Sequence, residues 1–221
     1  MQKPLRFLIF LFLIIVTTVS AQKSEIYTNN LVDFNQAISL FNNKQYLSAQ
    51  IIFEKVKLEN LGQEVQSDCT FYSAICAIKL NHSNSDLLMQ NFITDYPTST
   101  KRNIAFIEIA GHNFDQGSFS ESLKWFEKVD ESSLNNDDVD KFNFQKGYAY
   151  FTAKNTKEAT KYFNQVVNSK TFGSQAKYYL GYMSYETDDY KSANQYFDQV
   201  SDQEKYKEKM GYFQADMNFK L

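Results

Sequence analysis

Residues 147–166 read GYAYFTAKNTKEATKYFNQV and residues 181–200 read GYMSYETDDYKSANQYFDQV, two segments 34 apart. They share a glycine, an aromatic four later, an alanine twelve later and the run Tyr-Phe-x-Gln-Val. Working outward, the second half of this pattern recurs as Tyr46-Ala49-Phe53-Val56, Phe119-Ser122-Phe126-Val129, Thr156-Ala159-Phe163-Val166 and Tyr190-Ala193-Phe197-Val200, with a degenerate copy at Ser85-Leu88-Phe92-Asp95. Nine residues before each string lies a small residue: Ala37, Cys76, Ala110, Gly147 and Gly181, with Ala215 continuing the series. Four residues after each of these comes a large apolar side chain, namely Phe41, Leu80, Phe114, Phe151, Tyr185 and Phe219. The central phenylalanines are 39, 34, 37 and 34 apart. Two landmarks that hold one offset through five copies mark an internal repeat.

Spacings of 3, 4 and 7 place residues on one face of an α-helix. Each unit therefore reads as two amphipathic helices joined by a short polar turn, such as Ala153-Lys154-Asn155 or Thr187-Asp188-Asp189. Ser118, Asn155 and Asp189 stand where N-caps of the second helices belong. The small residues Ala37, Ala110, Gly147 and Gly181 let a first helix approach its second closely, and Ala49, Ala159 and Ala193 do the same from the other side. Phe53, Phe92, Phe126, Phe163 and Phe197 then fill the space towards the following unit. The 39- and 37-residue intervals place extra polar residues at 59–67 and 130–138, expected as lengthened loops.

Composition agrees with this reading. Glycine (7) and proline (2) are too scarce for an all-β chain with a turn every strand, whereas 20 Phe and 15 Tyr supply large packing residues. Cys69 and Cys76 lie in one expected helix, about 10 Å apart by helical rise, and should not pair. Cys76 occupies a small-residue position and reads as a packed thiol.

The pattern resembles the tetratricopeptide repeat (TPR), carried by Gly147, Tyr150, Ala159 and Phe163, by Leu180, Gly181, Tyr190, Ala193 and Phe197, and by Ala110, Gly117, Phe119 and Phe126. It covers about residues 29–221. The chain departs from the family in lacking its closing proline, in carrying Val where a small Ala is usual, and in its poor second copy. The resemblance implies an all-α, right-handed solenoid of antiparallel helix pairs, with five repeats and a sixth first helix across residues 22–221. That last helix keeps an internal apolar pattern in Tyr212, Ala215 and Phe219. The expectation is either a longer array of which this chain is a part, or a partner that covers Phe219 and Leu221. The run Trp125–Glu131 is similar to exported TPR proteins of Bacteroidetes-type bacteria. Phe92–Phe126 is similar to TPR domains of outer-membrane assembly and cell-division-coordinating periplasmic proteins.

The start of the chain speaks to destination. Lys3 and Arg6 precede the apolar run Phe7–Val16, and Val19-Ser20-Ala21-Gln22 forms a small-x-small cleavage site, so residues 1–21 read as a signal peptide. The run falls short of the roughly 18 apolar residues a spanning helix needs, and no membrane span is expected after its removal. Without Lys3 and Arg6, 21 basic and 26 acidic residues remain, a net charge of −5. Such a chain offers no basic stripe for nucleic acid.

Catalytic patterns are missing. There is no HExxH, Walker-type loop, GxSxG or CxxC, and only two histidines, His82 and His112. No metal, cofactor or enzymatic activity is expected. In the TPR family the first helices line a concave groove for extended peptides or partner helices. That face implies Phe34, Ile38, Phe41, Ile107 and Phe114 in the early units, then Phe144, Tyr148 and Phe151, then Tyr178, Tyr182 and Tyr185, then Tyr212 and Phe219. Chaperone-binding members clamp a carboxylate with Lys and Asn there, whereas this chain has Phe, Ile or Tyr. The binding residues expected are Phe144, Tyr148, Phe151, Tyr178, Tyr182 and Tyr185, with packing between helices as the competing role. These readings point to a non-enzymatic scaffold in the periplasm or cell envelope of a Gram-negative bacterium, with protein or peptide partners. An accessory glycan- or peptide-binding module for cell-wall enzymes is the alternative, and an enzyme whose catalytic part lies elsewhere is a third.

Overall fold

The computed structural model describes residues 31–59 and 62–220, and no strand occurs among them. The expected leader at 1–21 lies outside these residues. Among the described residues, eleven α-helices alternate as first and second members of pairs. They are α1 (31–42), α2 (Tyr46–Leu58), α3 (Gln63–Lys79), α4 (Ser85–Asp95), α5 (Arg102–Asp115), α6 (Phe119–Phe126), α7 (Asn136–Thr152), α8 (Thr156–Val166), α9 (Gly173–Glu186), α10 (Tyr190–Asp198) and α11 (Glu204–Lys220). A 3-10 turn at Glu131–Ser133 precedes α7. The described chain forms two units, the first ending at Ala105 and the second beginning at Phe106, within α5.

The repeat landmarks sit where close packing demands them. Phe53, Phe92, Phe126, Phe163 and Phe197 are fully buried, as are Ala37, Ala49, Ala110, Ala159 and Ala193. A Cβ built on Gly147 would lie 3.1 Å from the Phe163 ring, and one on Gly181 only 2.7 Å from that of Phe197, so the backbone itself is the packing surface. Where the second helix carries Ser122 instead of Ala, its hydroxyl donates to the Ala110 carbonyl at 2.8 Å, which satisfies the buried polar group. Four of the five central rings then meet a ring of the next first helix, whereas Phe92 packs on Phe71 and Tyr96. Phe53 stacks on Tyr72 at 5.3 Å, Phe163 on Tyr179 at 5.5 Å and Phe197 on Phe213 at 5.8 Å, while Phe126 meets Phe142 edge-on at 5.3 Å.

The turns repeat as faithfully as the core. Lys44, Gly117, Lys154 and Asp188, each seven residues past a small landmark, adopt positive φ (60°, 75°, 58° and 60°). The N–H of each donates three residues back, and that of the next residue donates five back, as in Lys154 to Phe151 O (3.0 Å) and Asn155 to Tyr150 O (3.0 Å). This is the Schellman closure, which satisfies carbonyls at a helix end and favours glycine at the left-handed position. Only Gly117 is glycine. Lys154→Gly is therefore expected to raise stability by about 0.5–1 kcal/mol, since a Cβ in that region clashes with the following carbonyl. Urea unfolding of the two proteins measures it, and an unchanged or lower midpoint contradicts it.

Two sequence expectations need correction. Asn155 and Asp189 accept from the N–H of Glu158 (3.2 Å) and Ser192 (3.1 Å), but Ser118 makes no side-chain cap hydrogen bond. With ψ at 59°, the shorter serine side chain does not reach what the Asn and Asp side chains reach at 76° and 70°. Part of each expected loop is instead helical: residues 63–67 open α3, and residues 136–138 open α7 after the 3-10 turn at 131–133. Four first helices start ten residues after the central Phe whether the interval is long or short, at Gln63, Arg102, Asn136 and Gly173, while α11 starts seven after, at Glu204. Relative to the small landmark, α3 begins five residues earlier than α5 and α9, and α7 three earlier, which accounts for the 39- and 37-residue intervals. Adding helical residues keeps their backbone hydrogen-bonded, which a longer loop would not.

Candidate functional site

In the second unit, α7 places Phe144 and Tyr148 one helical turn apart, and both line an open groove of about 550 Å³. Phe114, Phe119, Tyr179 and Tyr206 complete its aromatic walls, with Asp115, Gln175 and Lys205 as the polar groups at its edge. Tyr148 is the hub. Its ring stands edge-on to Phe119 (5.0 Å), Tyr179 (5.1 Å) and Phe114 (5.6 Å), a geometry in which the positive ring edge meets a negative face. Phe144 is deeper, 7% exposed, and lies flat on Phe172 at 4.9 Å, so it acts as floor more than wall. The Lys205 ammonium sits 4.6 Å over the Tyr206 ring.

The other four residues expected on this face go elsewhere. Phe151 packs on Tyr179 (5.1 Å) and Tyr182 (5.8 Å). Tyr178 stacks on Tyr206 at 4.6 Å, and Tyr182 and Tyr185 meet Phe213 at 5.5 and 4.9 Å. Tyr185 also donates its hydroxyl to Asp216, which in turn holds Lys220 at 2.8 Å. These three tyrosines form the seat on which α11 rests. The hydrogen bond to Asp216 is the main cause that raises the Tyr185 pKa, while the Lys220 hydrogen bond, then that of Tyr185, lowers the Asp216 pKa from its ordinary value.

Tyr179 was not singled out by periodicity, yet it touches Phe144, Tyr148, Phe151 and Phe163. Burial, then the neighbouring Tyr148, pushes its hydroxyl well above the usual tyrosine range. Its only sequence signal is the doublet Tyr178-Tyr179, which supplies rings to two neighbouring faces of α9. In the first unit a polar cavity of about 380 Å³ is lined by Ser67, Asp68, Ser99 and Lys101. Within it Lys101 pairs with Asp68 at 2.9 Å.

Nucleophile chemistry has little to work with. Cys69 and Cys76 are free, wholly buried, and pushed up to about 12 by that burial. A thiol so protonated reacts only when the helix opens. Thiol reagent at pH 8 should thus label neither cysteine of the folded protein within minutes and both in urea. Rapid native labelling of either contradicts this. Among the described residues no group of three or more His, Cys, Asp or Glu could hold a metal ion, and no helix is long and apolar enough to cross a membrane.

The fold is that of an all-helical, TPR-like solenoid. Solved structures of MamA share it: MamA AMB-1 superposes with a TM-score of 0.65 at 13% identity, covering 80% of this chain and 92% of that one. MamA MSR-1 gives 0.61 at 14%, covering 79% and 95%. At such identity the likeness is one of fold. No protein-family model matches the sequence, and no curated protein does.

Proposed function

We propose that the protein is a non-enzymatic interaction scaffold that holds a partner protein or peptide in the aromatic groove of its second unit. The observation that carries this is the open cluster of Phe114, Phe119, Tyr148, Tyr179 and Tyr206. Rings of limited flexibility give large contact area at low entropic cost, and aromatics are enriched where interfaces concentrate their energy. Asp115 and Lys205 add one charge of each sign to the groove edge, which suits a peptide backbone flanked by polar groups better than a purely apolar ligand. The leader-like pattern at residues 1–21 supports a setting in the periplasm or cell envelope of a Gram-negative bacterium.

Crosslinking followed by mass spectrometry in the native cell identifies the partner. Tyr148→Ala should then weaken that partner at least about tenfold, or about 1.4 kcal/mol, with helical content retained by circular dichroism. Unchanged affinity would remove the groove from the account. Retention on purified cell-wall material with no protein recovered would favour a glycan-binding module instead.

A further inference from the structure

The outer face of α2 breaks a rule that the other second helices keep. Leu47, Ile51 and Leu58 stand on the side of α2 opposite the buried Ala49, Phe53 and Val56, and they are 59%, 64% and 88% exposed. Counted from the central phenylalanine, the place of Leu47 is held by Asp86, Ser120, Lys157 and Lys191 in the later units, and that of Ile51 by Gln90, Lys124, Lys161 and Gln195. Those helices carry polar residues where they face water, and α2 does not. Single exposed apolar side chains are ordinary, but three on one line of one helix form a patch. The patch does not lie where a neighbouring repeat stacks. Gln50 donates to the Ser73 carbonyl and Glu54 accepts from the Ser73 hydroxyl, so the next repeat lies on their flank of α2. The opposite flank carries Ser48 and Lys55, and the stripe runs between the two.

The geometry points to this stripe as a seam between two copies of the chain, with their α2 helices antiparallel across a two-fold axis. With Glu54 included, the stripe occupies positions 47, 51, 54 and 58, a spacing of 4, 3 and 4 that reads the same in both directions. An antiparallel pair therefore meets in register, Leu47 on the partner's Leu58 and Ile51 on the partner's Glu54. Parallel pairing would instead set two Glu54 carboxylates against each other inside an apolar seam. Glu54 suits the antiparallel arrangement, because its carboxylate is held by Ser73 at home and its methylene stem is left for the seam. The flanking lysines bring their own counter-ions, Lys55 to Asp33 at 2.7 Å and Lys57 to Glu54 at 3.9 Å. Asp33 also brings Val32, 59% exposed, to the same end of α2 as Leu58. An isologous contact requires one self-complementary patch, and this is one. Four apolar side chains per copy fall near or below the roughly 1,200 Å² at which stable interfaces begin, so the dimer is expected to be weak. The seam lies in the first unit and the aromatic groove in the second, so each can fail alone.

Sedimentation velocity of the full chain should show reversible dimerisation at about 10–100 μM protein. Ile51→Lys enters the seam twice and should weaken the dimer at least about tenfold. The exposure of Ile51 keeps this variant folded, which circular dichroism checks, and Tyr148→Ala should leave the dimer unchanged. Disulfide trapping reads the orientation. A mixture of Leu47→Cys and Leu58→Cys chains should crosslink at least about tenfold faster than either alone, because antiparallel helices put position 47 beside position 58 and hold identical positions ~16 Å apart along the axis. The native Cys69 and Cys76 are fully buried and do not compete. A chain that stays monomeric at about 0.2 mM overturns the proposal. So does a dimer untouched by Ile51→Lys, and so do single variants that crosslink as fast as the mixture.

Discussion

Phe163→Ala is expected to destabilise the protein by about 3–5 kcal/mol, as full loss of a buried phenylalanine does when its surroundings cannot collapse. The ring has no exposed surface, lies parallel to Tyr179 and packs against Phe144. It also presses on the backbone of Gly147, where even an added methyl group would sit 3.1 Å away. That backbone is part of a regular helix and will not move in to fill the cavity. Phe163→Leu should cost less because most of the volume stays. Phe219→Ala, at a ring 91% exposed, should change stability by no more than about 0.5 kcal/mol. Urea unfolding of the three variants measures the series. In a repeat array each unit contacts chiefly its neighbours, so hydrogen exchange should quicken first in α7, α8 and α9. Equal losses at Phe163 and Phe219 would mean that the repeat core is not where this structure puts it.

The second large effect concerns a buried charge. Lys146 on α7 is 4% exposed; its ammonium reaches Glu131 Oε1 at 2.7 Å and the Phe126 carbonyl at 3.3 Å, and lies 4.8 Å over the Tyr162 ring. Tyr162 donates to the same carboxylate oxygen at 2.6 Å. The cluster ties the 3-10 turn between the third and fourth repeats to both helices of the fourth. Removing one member of a buried pair strands the other, at a cost of about 3–5 kcal/mol when both are buried. The Glu131 side chain is 40% exposed, so solvent screens part of this, and Glu131→Gln is expected to cost about 2 kcal/mol. Lys146→Met should cost under about 1 kcal/mol, because it takes away the group that is expensive to bury.

The pH dependence has a definite sign. Burial raises the Glu131 pKa, but hydrogen bonds from Lys146 and Tyr162 outweigh it and hold the carboxyl below its ordinary value. A depressed folded pKa contributes stability that is present above the unfolded value, near 4.3, and is lost as pH falls through the folded one. The gap between Glu131→Gln and the parent should therefore be full at pH 7 and narrow below about pH 4. A gap that persists at pH 2 would remove the ion pair from the explanation.

Much of the fold was legible because it rests on contacts that tolerate few residue types. A helix pair that touches through Gly147 and Phe163 must repeat a small residue and a large ring at one spacing, and that spacing is visible in a linear string. The first-helix boundaries were less legible, since Glu64 and Asp138 are polar whether they stand in a loop or on the outer side of a helix. Lys146 left a trace: the equivalent positions in neighbouring units are Ile75, Ile109 and Leu180, all buried. A lysine in that series signals a buried charge in need of a partner, though Glu131 could not be named without the turn that brings it back. The six groove candidates came from the face that the TPR resemblance implies, and a family pattern could go no further.

The sequence by itself determined the helical pairs, their period and the residues sealed between them, because those depend on spacing along one or two consecutive helices. Only the tertiary structure decided which aromatic rings face open space. Phe144 and Tyr148 border the groove while Tyr178, Tyr182 and Tyr185 lie beneath α11, although all five share the same pattern. A helix face is a local property; what covers it comes from an element 30 residues away, through packing that the pattern of a single helix does not encode.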